Sequence, residues 1–116
     1  MVNAETQPLM LTLIVPVALA DACADLLMQI AVVQGFTQDA VQGFSRRPSA
    51  MSTAEQVAGR QSNSRFSLLL SSADASEVLA SLRQHHFTGH LHYVLSPVLA
   101  HGHCHETTAL GEVVFS

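Results

Sequence analysis

The hydrophobic residues of this chain fall into segments whose spacing changes between that of a strand and that of a helix. Residues 9–15 are apolar at both alternating sets of positions, which is typical of a strand covered on both faces, and Pro16 ends this segment. Apolar residues then recur at helical spacing, which predicts a first helix over about 18–33 with Gly35 at its C-terminal cap.

The middle of the chain predicts two more strands. Residues 36–46 form the second, in which Gly43 indicates a bulge. Residues 65–72 form the third, because their apolar and polar side chains alternate. The polar residues 60–64 that precede the third strand are expected to be exposed.

Two capping boxes mark predicted helix starts. In each, a serine or aspartate precedes a glutamate by three residues, at 52–55 and at 74–77. The first predicts a short helical turn over about 53–58, and the second predicts a helix over about 75–86.

The last predicted core element is a fourth strand over residues 90–95, before Pro97. The order strand, helix, strand, strand, helix, strand is that of the split βαβ unit. We therefore predict an α+β fold, a ferredoxin-like βαββαβ sandwich with a four-stranded antiparallel sheet and two helices on one face. A short C-terminal extension follows it, with an apolar strand candidate at 112–115.

The chain is predicted to be a single domain, residues 1–116, with a core at about 9–97 and a His/Cys-rich tail at 98–116. Two helices cover only one face of such a sheet, yet the first strand is apolar on both faces. Another copy of the chain is the simplest cover for the second face.

Charge limits the possible partners. Charged residues make up 12% of the chain, about half the usual share, which also favours burial of surface in an oligomer. The net charge is −4 and there is no lysine. Because no basic stripe is present to displace counterions from phosphates, nucleic acid is not expected as a partner.

The apolar run at residues 9–20 resembles the core of a signal peptide, but the residues before it carry Glu5 and no basic residue. The run is also too short to span a bilayer. We therefore expect a cytoplasmic protein without direct membrane insertion. Cys23 falls on the apolar face of the first helix and is expected to be a small buried hydrophobe.

All seven histidines lie within residues 85–105. The densest group predicts a metal site formed by His101, His103, Cys104 and His105, with Gly102 allowing the backbone to turn. Imidazole and thiolate ligands suit Cu, Zn, Ni or Co. The alternative is a polar tail that is histidine-rich by chance.

Two weaker candidates stand beside the tail. His90 and His92 share one face of the predicted fourth strand and could bracket a metal, although such pairs are more often simply solvated. Four arginines flank the connection at 46–63 and could bind an anion, although a solvated loop is the more common case; they are Arg46, Arg47, Arg60 and Arg65.

Three stretches resemble a known superfamily: residues 52–60 (Ser-Thr-Ala-Glu-Gln-Val-Ala-Gly-Arg), 65–70 (Arg-Phe-Ser-Leu-Leu-Leu) and 91–97 (Leu-His-Tyr-Val-Leu-Ser-Pro). The chain is similar to the PII-like superfamily, which includes the nitrogen regulatory PII proteins and the CutA divalent-cation-tolerance proteins. It is most similar to an uncharacterised PII-like family encoded beside heavy-metal efflux systems. The resemblance covers about residues 9–100.

The resemblance implies a homotrimer with a regulatory or binding role. PII proteins carry a long loop with a modifiable tyrosine where this chain has the short, tyrosine-free segment at about 46–63. Their glycine-rich phosphate loop corresponds here to residues 85–89, with one glycine and no lysine. Neither ATP binding nor uridylylation is therefore carried over, and no cofactor-binding residues are assigned.

We therefore predict a small trimeric regulatory or accessory protein that binds a transition metal through its tail, in metal homeostasis or efflux. Its partners would be itself and a membrane efflux or signalling protein. The alternative is a protein-interaction or nucleotide-sensing module without metal. An enzyme is not predicted: Cys104 has histidine neighbours, but a tail lacks the rigid support that catalysis requires, and no catalytic residues are assigned.

Overall fold

The computed structural model describes residues 6–44, 60–85 and 89–104. A 3₁₀ turn, Val17–Leu19, joins the first strand to the first helix. The other elements, in chain order, are β1 (Pro8–Pro16), α1 (Ala20–Gln29), β2 (Thr37–Gly43), β3 (Gln61–Ser71), α2 (Ser72–Leu82) and β4 (His92–Pro97).

The four strands form one antiparallel sheet in the order β2-β3-β1-β4. β1 is central: it pairs with β3 from Pro8 opposite Ser71 to Pro16 opposite Asn63, and with β4 on its other side. With two helices, this arrangement confirms the predicted α+β ferredoxin-like fold.

One face of the sheet and the two helices enclose the core. Alternate residues of β1 and β3 point into it, because side chains on a strand alternate between the two faces. Burial of each large aliphatic or aromatic side chain in this core stabilises the fold by about 1.5–3 kcal/mol. The fully buried members are Leu11, Leu13, Val15, Cys23, Leu27, Phe66, Leu68 and Val78.

Both helices are shorter than the sequence predicts. α1 ends at Gln29 rather than near residue 33, because Ile30 already has extended backbone angles (φ −82°, ψ 119°). Gly35 lies beyond the cap and does not form it. α2 begins at Ser72: the Ser71 hydroxyl accepts a hydrogen bond from the Asp74 backbone N–H at 3.1 Å. The capping box predicted at 74–77 is therefore wrong.

β3 is longer than predicted. It begins at Gln61, and Asn63 and Ser64 are buried rather than exposed, because they continue the pairing with β2. The predicted bulge at Gly43 is also wrong, since the β2–β3 register is continuous. A Cβ on Gly43 would lie 2.9 Å from Asn63 Nδ2, so the missing side chain makes room for that amide.

The helical turn predicted at 53–58 and the strand candidate at 112–115 lie outside the described residues. In the described part of the chain, no helix is both long and apolar enough to cross a membrane.

Candidate functional sites

The face of the sheet opposite the helices, here called the open face, is partly apolar. β1 contributes Met10, Thr12 and Ile14, whose exposure in the single chain is intermediate. Leu69 of β3 lies beside Met10, and Val94 of β4 lies beside Thr12. Leu69 and Val94 are 42% and 46% exposed, so apolar surface on this face remains in contact with water in the single chain.

An ion pair lies at the β2 side of the open face. Arg65 Nε and Nη2 donate to Asp39 Oδ1 and Oδ2 at 3.0 and 2.6 Å. The hydrogen bond to Asp39 and its charge raise the pKa of Arg65 above its usual value. Because Arg65 is already engaged with a carboxylate, it is poorly suited to the arginine anion site considered from the sequence.

The other arginines of that group also fail to form a visible cluster. Arg60 donates from Nη1 to Gln42 Oε1 at 3.3 Å. Arg46 and Arg47 lie outside the described residues. The structure therefore brings together no anion site from the arginines that it describes.

The predicted metal residues lie on a segment that leaves the sheet after β4. The Val98 N–H donates to the Pro8 carbonyl at 3.1 Å. Beyond that bond, His101, His103 and Cys104 are exposed, and His105 lies outside the described residues. Among the described residues, no three His, Cys, Asp or Glu side chains are grouped to hold a metal ion. The described ligand types, His101, His103 and Cys104, are thus close in sequence but are not assembled into a site.

His90 and His92 do not share a strand face. His90 lies in a short 3₁₀ turn, and β4 begins only at His92. His92 is on the open face, opposite Ile14. The prediction of a strand-borne histidine pair is therefore wrong, because it depended on the fourth strand starting two residues earlier.

The two cysteines differ in their surroundings. Cys23 is fully buried on the inner side of α1, and desolvation raises the pKa of its thiol from 9.0 to about 11. Cys23 is consequently a protonated, apolar-packed thiol at neutral pH, as predicted. Cys104 is exposed and is the accessible thiol of the two.

Two cavities were not predicted from the sequence. A cavity of about 350 Å³ lies where α1 and α2 end, and its lining includes Gln29, Glu77 and Ser81. A second one, of about 200 Å³, lies between α2 and the start of β4. The second, here called the β4 slot, is lined by Leu79, Leu82, Arg83, Leu91 and Tyr93. The alternating apolar residues of β4 were the part of the β4 slot that could be seen in the sequence. Periodicity alone does not show that a strand lies at the edge of a sheet, so it did not predict the slot.

Comparisons with known proteins agree with the fold. The profile of the family described as "Protein of unknown function (DUF3240)" matches residues 5–105. No curated protein matches the chain significantly.

Among solved structures, a DUF3240 family protein from Shewanella baltica is 21% identical, with a TM-score of 0.66 over 84% of this chain and 96% of that chain. A protein described as PII-like and signalling, from Thermus thermophilus, is 16% identical, with a TM-score of 0.56 over 79% and 88% of the two chains. Bacillus subtilis GlnK, solved as an ATP complex, is 13% identical, with a TM-score of 0.55 over 81% and 84%. These likenesses show a PII-like fold.

Proposed function

This chain belongs to the DUF3240 family of proteins of unknown function, and we propose that it is a PII-like regulatory or accessory protein that assembles as a homotrimer and binds a transition metal through its tail. The proposed role is in metal homeostasis or efflux, in the cytoplasm. Its partner would be a membrane efflux or signalling protein, and its action would be binding rather than catalysis.

The observation that carries the metal proposal is the exposure of three ligand-type side chains within four residues. His101, His103 and Cys104 are exposed and follow β4, outside the packed core. Gly102 gives the backbone between them access to turns that other residues avoid. With His105 they would converge only around the ion, and a Cu, Zn, Ni or Co ion suits such nitrogen and sulfur donors.

The open face supports the proposed assembly. The partly exposed apolar residues Ile14, Leu69 and Val94 lie on it, and the helices cover only the other face. Packing this face against other copies would remove apolar surface from water, at roughly 25 cal/mol per Å². A closed cyclic assembly would leave no such face open to further association.

The test is a titration of the reduced full chain with Zn(II), Cu(I), Ni(II), Co(II) and ATP, followed by calorimetry. A variant with His101, His103 and His105 changed to Ala and Cys104 changed to Ser should lose metal binding. The matched control, His90→Ala with His92→Ala, removes two exposed histidines outside the tail and should retain it.

Three outcomes separate the alternatives. Metal binding lost only in the control variant would place the ligands near β4. Binding of ATP but of no metal would favour a nucleotide-sensing module. No heat of binding with any of the metal ions or with ATP would favour a protein-interaction module. Light scattering gives the assembly state independently, and the mass of a single chain at micromolar concentration would contradict the trimer.

A further inference from the structure

The outer side of β4 carries backbone hydrogen-bonding groups. The Val98 N–H donates to the Pro8 carbonyl at 3.1 Å, so the even-numbered residues of this segment point their backbone groups toward β1. Because this direction alternates along a strand, the N–H and C=O groups of Tyr93 and Leu95 point away from the sheet. No strand in the described part of the chain pairs with that side, since β4 ends the order β2-β3-β1-β4. β4 can therefore accept a further strand.

The same strand is apolar where it is exposed. Tyr93, Val94 and Leu95 follow one another and are 45%, 46% and 41% exposed. The strand at the other edge, β2, is mostly polar, with the sequence Thr-Gln-Asp-Ala-Val-Gln-Gly. An exposed apolar edge strand is a template for pairing with another chain. Of the two edges, β4 is therefore the one suited to a partner strand.

The β4 slot lies beside this edge, on the helix side of the sheet. Tyr93 is opposite the fully buried Leu13 and so shares its face, and Leu79 and Leu82 of α2 form the opposite wall. A residue directly opposite Tyr93 on an added strand would point to the same face, next to the slot. An apolar cavity of about 150 Å³ can hold a benzene ring. The slot, of about 200 Å³, therefore has room for one phenyl group.

We propose that β4 binds an extended segment of a partner protein by antiparallel strand addition, with one large apolar side chain of that segment in the β4 slot. Main-chain hydrogen bonds to Tyr93 and Leu95 would supply affinity, and the alternate side chains on the helix face would supply specificity. The proposal depends neither on metal binding nor on the trimer.

Charge and alternation define the partner segment. Among the described residues that line the slot, Arg83 is the one with a charge, so an acidic side chain in the partner complements it. In an antiparallel pair, the residue opposite Leu95 comes two positions before the one opposite Tyr93, and the residue beside Leu91 comes two positions after it. Arg83 and Leu91 line the same slot. The segment therefore has an apolar, a large apolar and an acidic residue at alternate positions.

The test uses the full chain and the synthetic peptide Thr-Val-Thr-Phe-Thr-Glu-Thr, acetylated and amidated. Tyr93 is the single tyrosine and the chain has no tryptophan, so tyrosine fluorescence reports from this slot alone. The peptide should protect Tyr93 from quenching by acrylamide in a saturable way, which gives the Kd. Methylation of the peptide's Phe nitrogen, which would face β4, should abolish binding. Methylation of the next Thr nitrogen, which would face away from β4, is the matched control and should leave the Kd unchanged.

Charge reversal tests the position of the acidic residue. Arg83→Glu should weaken binding about tenfold, and a peptide with Lys in place of Glu should restore it. The control variant is Arg60→Glu, which changes an exposed arginine beside Gln42 of β2 and should leave the Kd unchanged. Circular dichroism confirms that each variant keeps its helices.

Three results would overturn the proposal. The first is the absence of saturable protection of Tyr93 by the unmodified peptide. The second is equal binding of the two methylated peptides, which would exclude strand pairing. The third is dissociation of an assembly by the peptide in light scattering, because the edge of β4 would then already pair two copies of the chain.

Discussion

Arg65 lies directly opposite Asp39 in the β2–β3 register and donates two hydrogen bonds to its carboxylate, at 3.0 and 2.6 Å. On its other side, Arg65 is opposite Ile14, which in turn is opposite His92. The open face thus presents a row that runs from an ion pair through an apolar side chain to a histidine. Another copy of the chain that packs on this face must complement the charge and the shape of this row.

The ion pair should matter more for assembly than for folding. Asp39→Ala should have little effect on the midpoint of urea denaturation of single chains, because exposed ion pairs contribute little to stability. It should weaken the proposed trimer, since packing the face would then bury Arg65 without its carboxylate. Light scattering at decreasing protein concentration measures the effect. Unchanged dissociation would show that the pair lies outside the interface.

Two adjacent residues of β1 should separate folding from assembly. Leu13 is fully buried on the core face, whereas Thr12 lies on the open face. Leu13→Asp should unfold the chain, because an unpaired buried charge costs several kcal/mol, a large part of the usual stability. Thr12→Asp should leave circular dichroism unchanged but give single chains by light scattering. A folded, assembled Leu13→Asp protein would contradict the central position of β1.

The cap of α2 should be measurable. Ser71→Ala removes the hydroxyl that accepts from the Asp74 N–H, and should cost about 1 kcal/mol in the free energy of unfolding. Ser76→Ala, on the exposed side of the same helix, should cost almost nothing. Urea denaturation compares the two variants. Equal losses would mean that the side-chain cap contributes no more than an ordinary exposed serine.

Cys23 should make stability fall at high pH. Burial raises the pKa of its thiol from 9.0 to about 11, so the folded chain keeps a proton that the unfolded chain loses. This contribution, on the order of 2 kcal/mol, is complete below pH 9.0 and is lost as the pH rises to about 11. Denaturation midpoints at several alkaline pH values should fall less steeply in Cys23→Val than in the exposed-thiol control, Cys104→Ser.

The proposed metal binding by the tail should weaken with acid. Protons compete with the ion for imidazole and thiolate ligands, so affinity should fall steeply as the pH drops below the imidazole range. Calorimetry with Zn(II) across this range gives the slope. The helix content should stay constant, because His101, His103 and Cys104 lie outside the core. An affinity independent of pH would argue against histidine ligands.

The sequence alone determined the kinds of element, their order and the ligand types of the tail. Periodicity is a local property, so the apolar alternation of β1 and the helical spacing in α1 could be read without knowing their neighbours. The tail residues His101, His103 and Cys104 were identifiable for the same reason. Their convergence was not, because it depends on backbone geometry that composition does not specify.

Tertiary structure decided what depends on residues far apart in the chain. Asn63 and Ser64 look like loop residues in sequence, but pairing with β2 buries them. Asp39 meets Arg65 only through strand register, and the β4 slot exists only because β4 lies at an edge beside α2. Helix spacing and strand alternation are set by neighbouring residues, whereas register and edge position follow from packing the whole sheet at once.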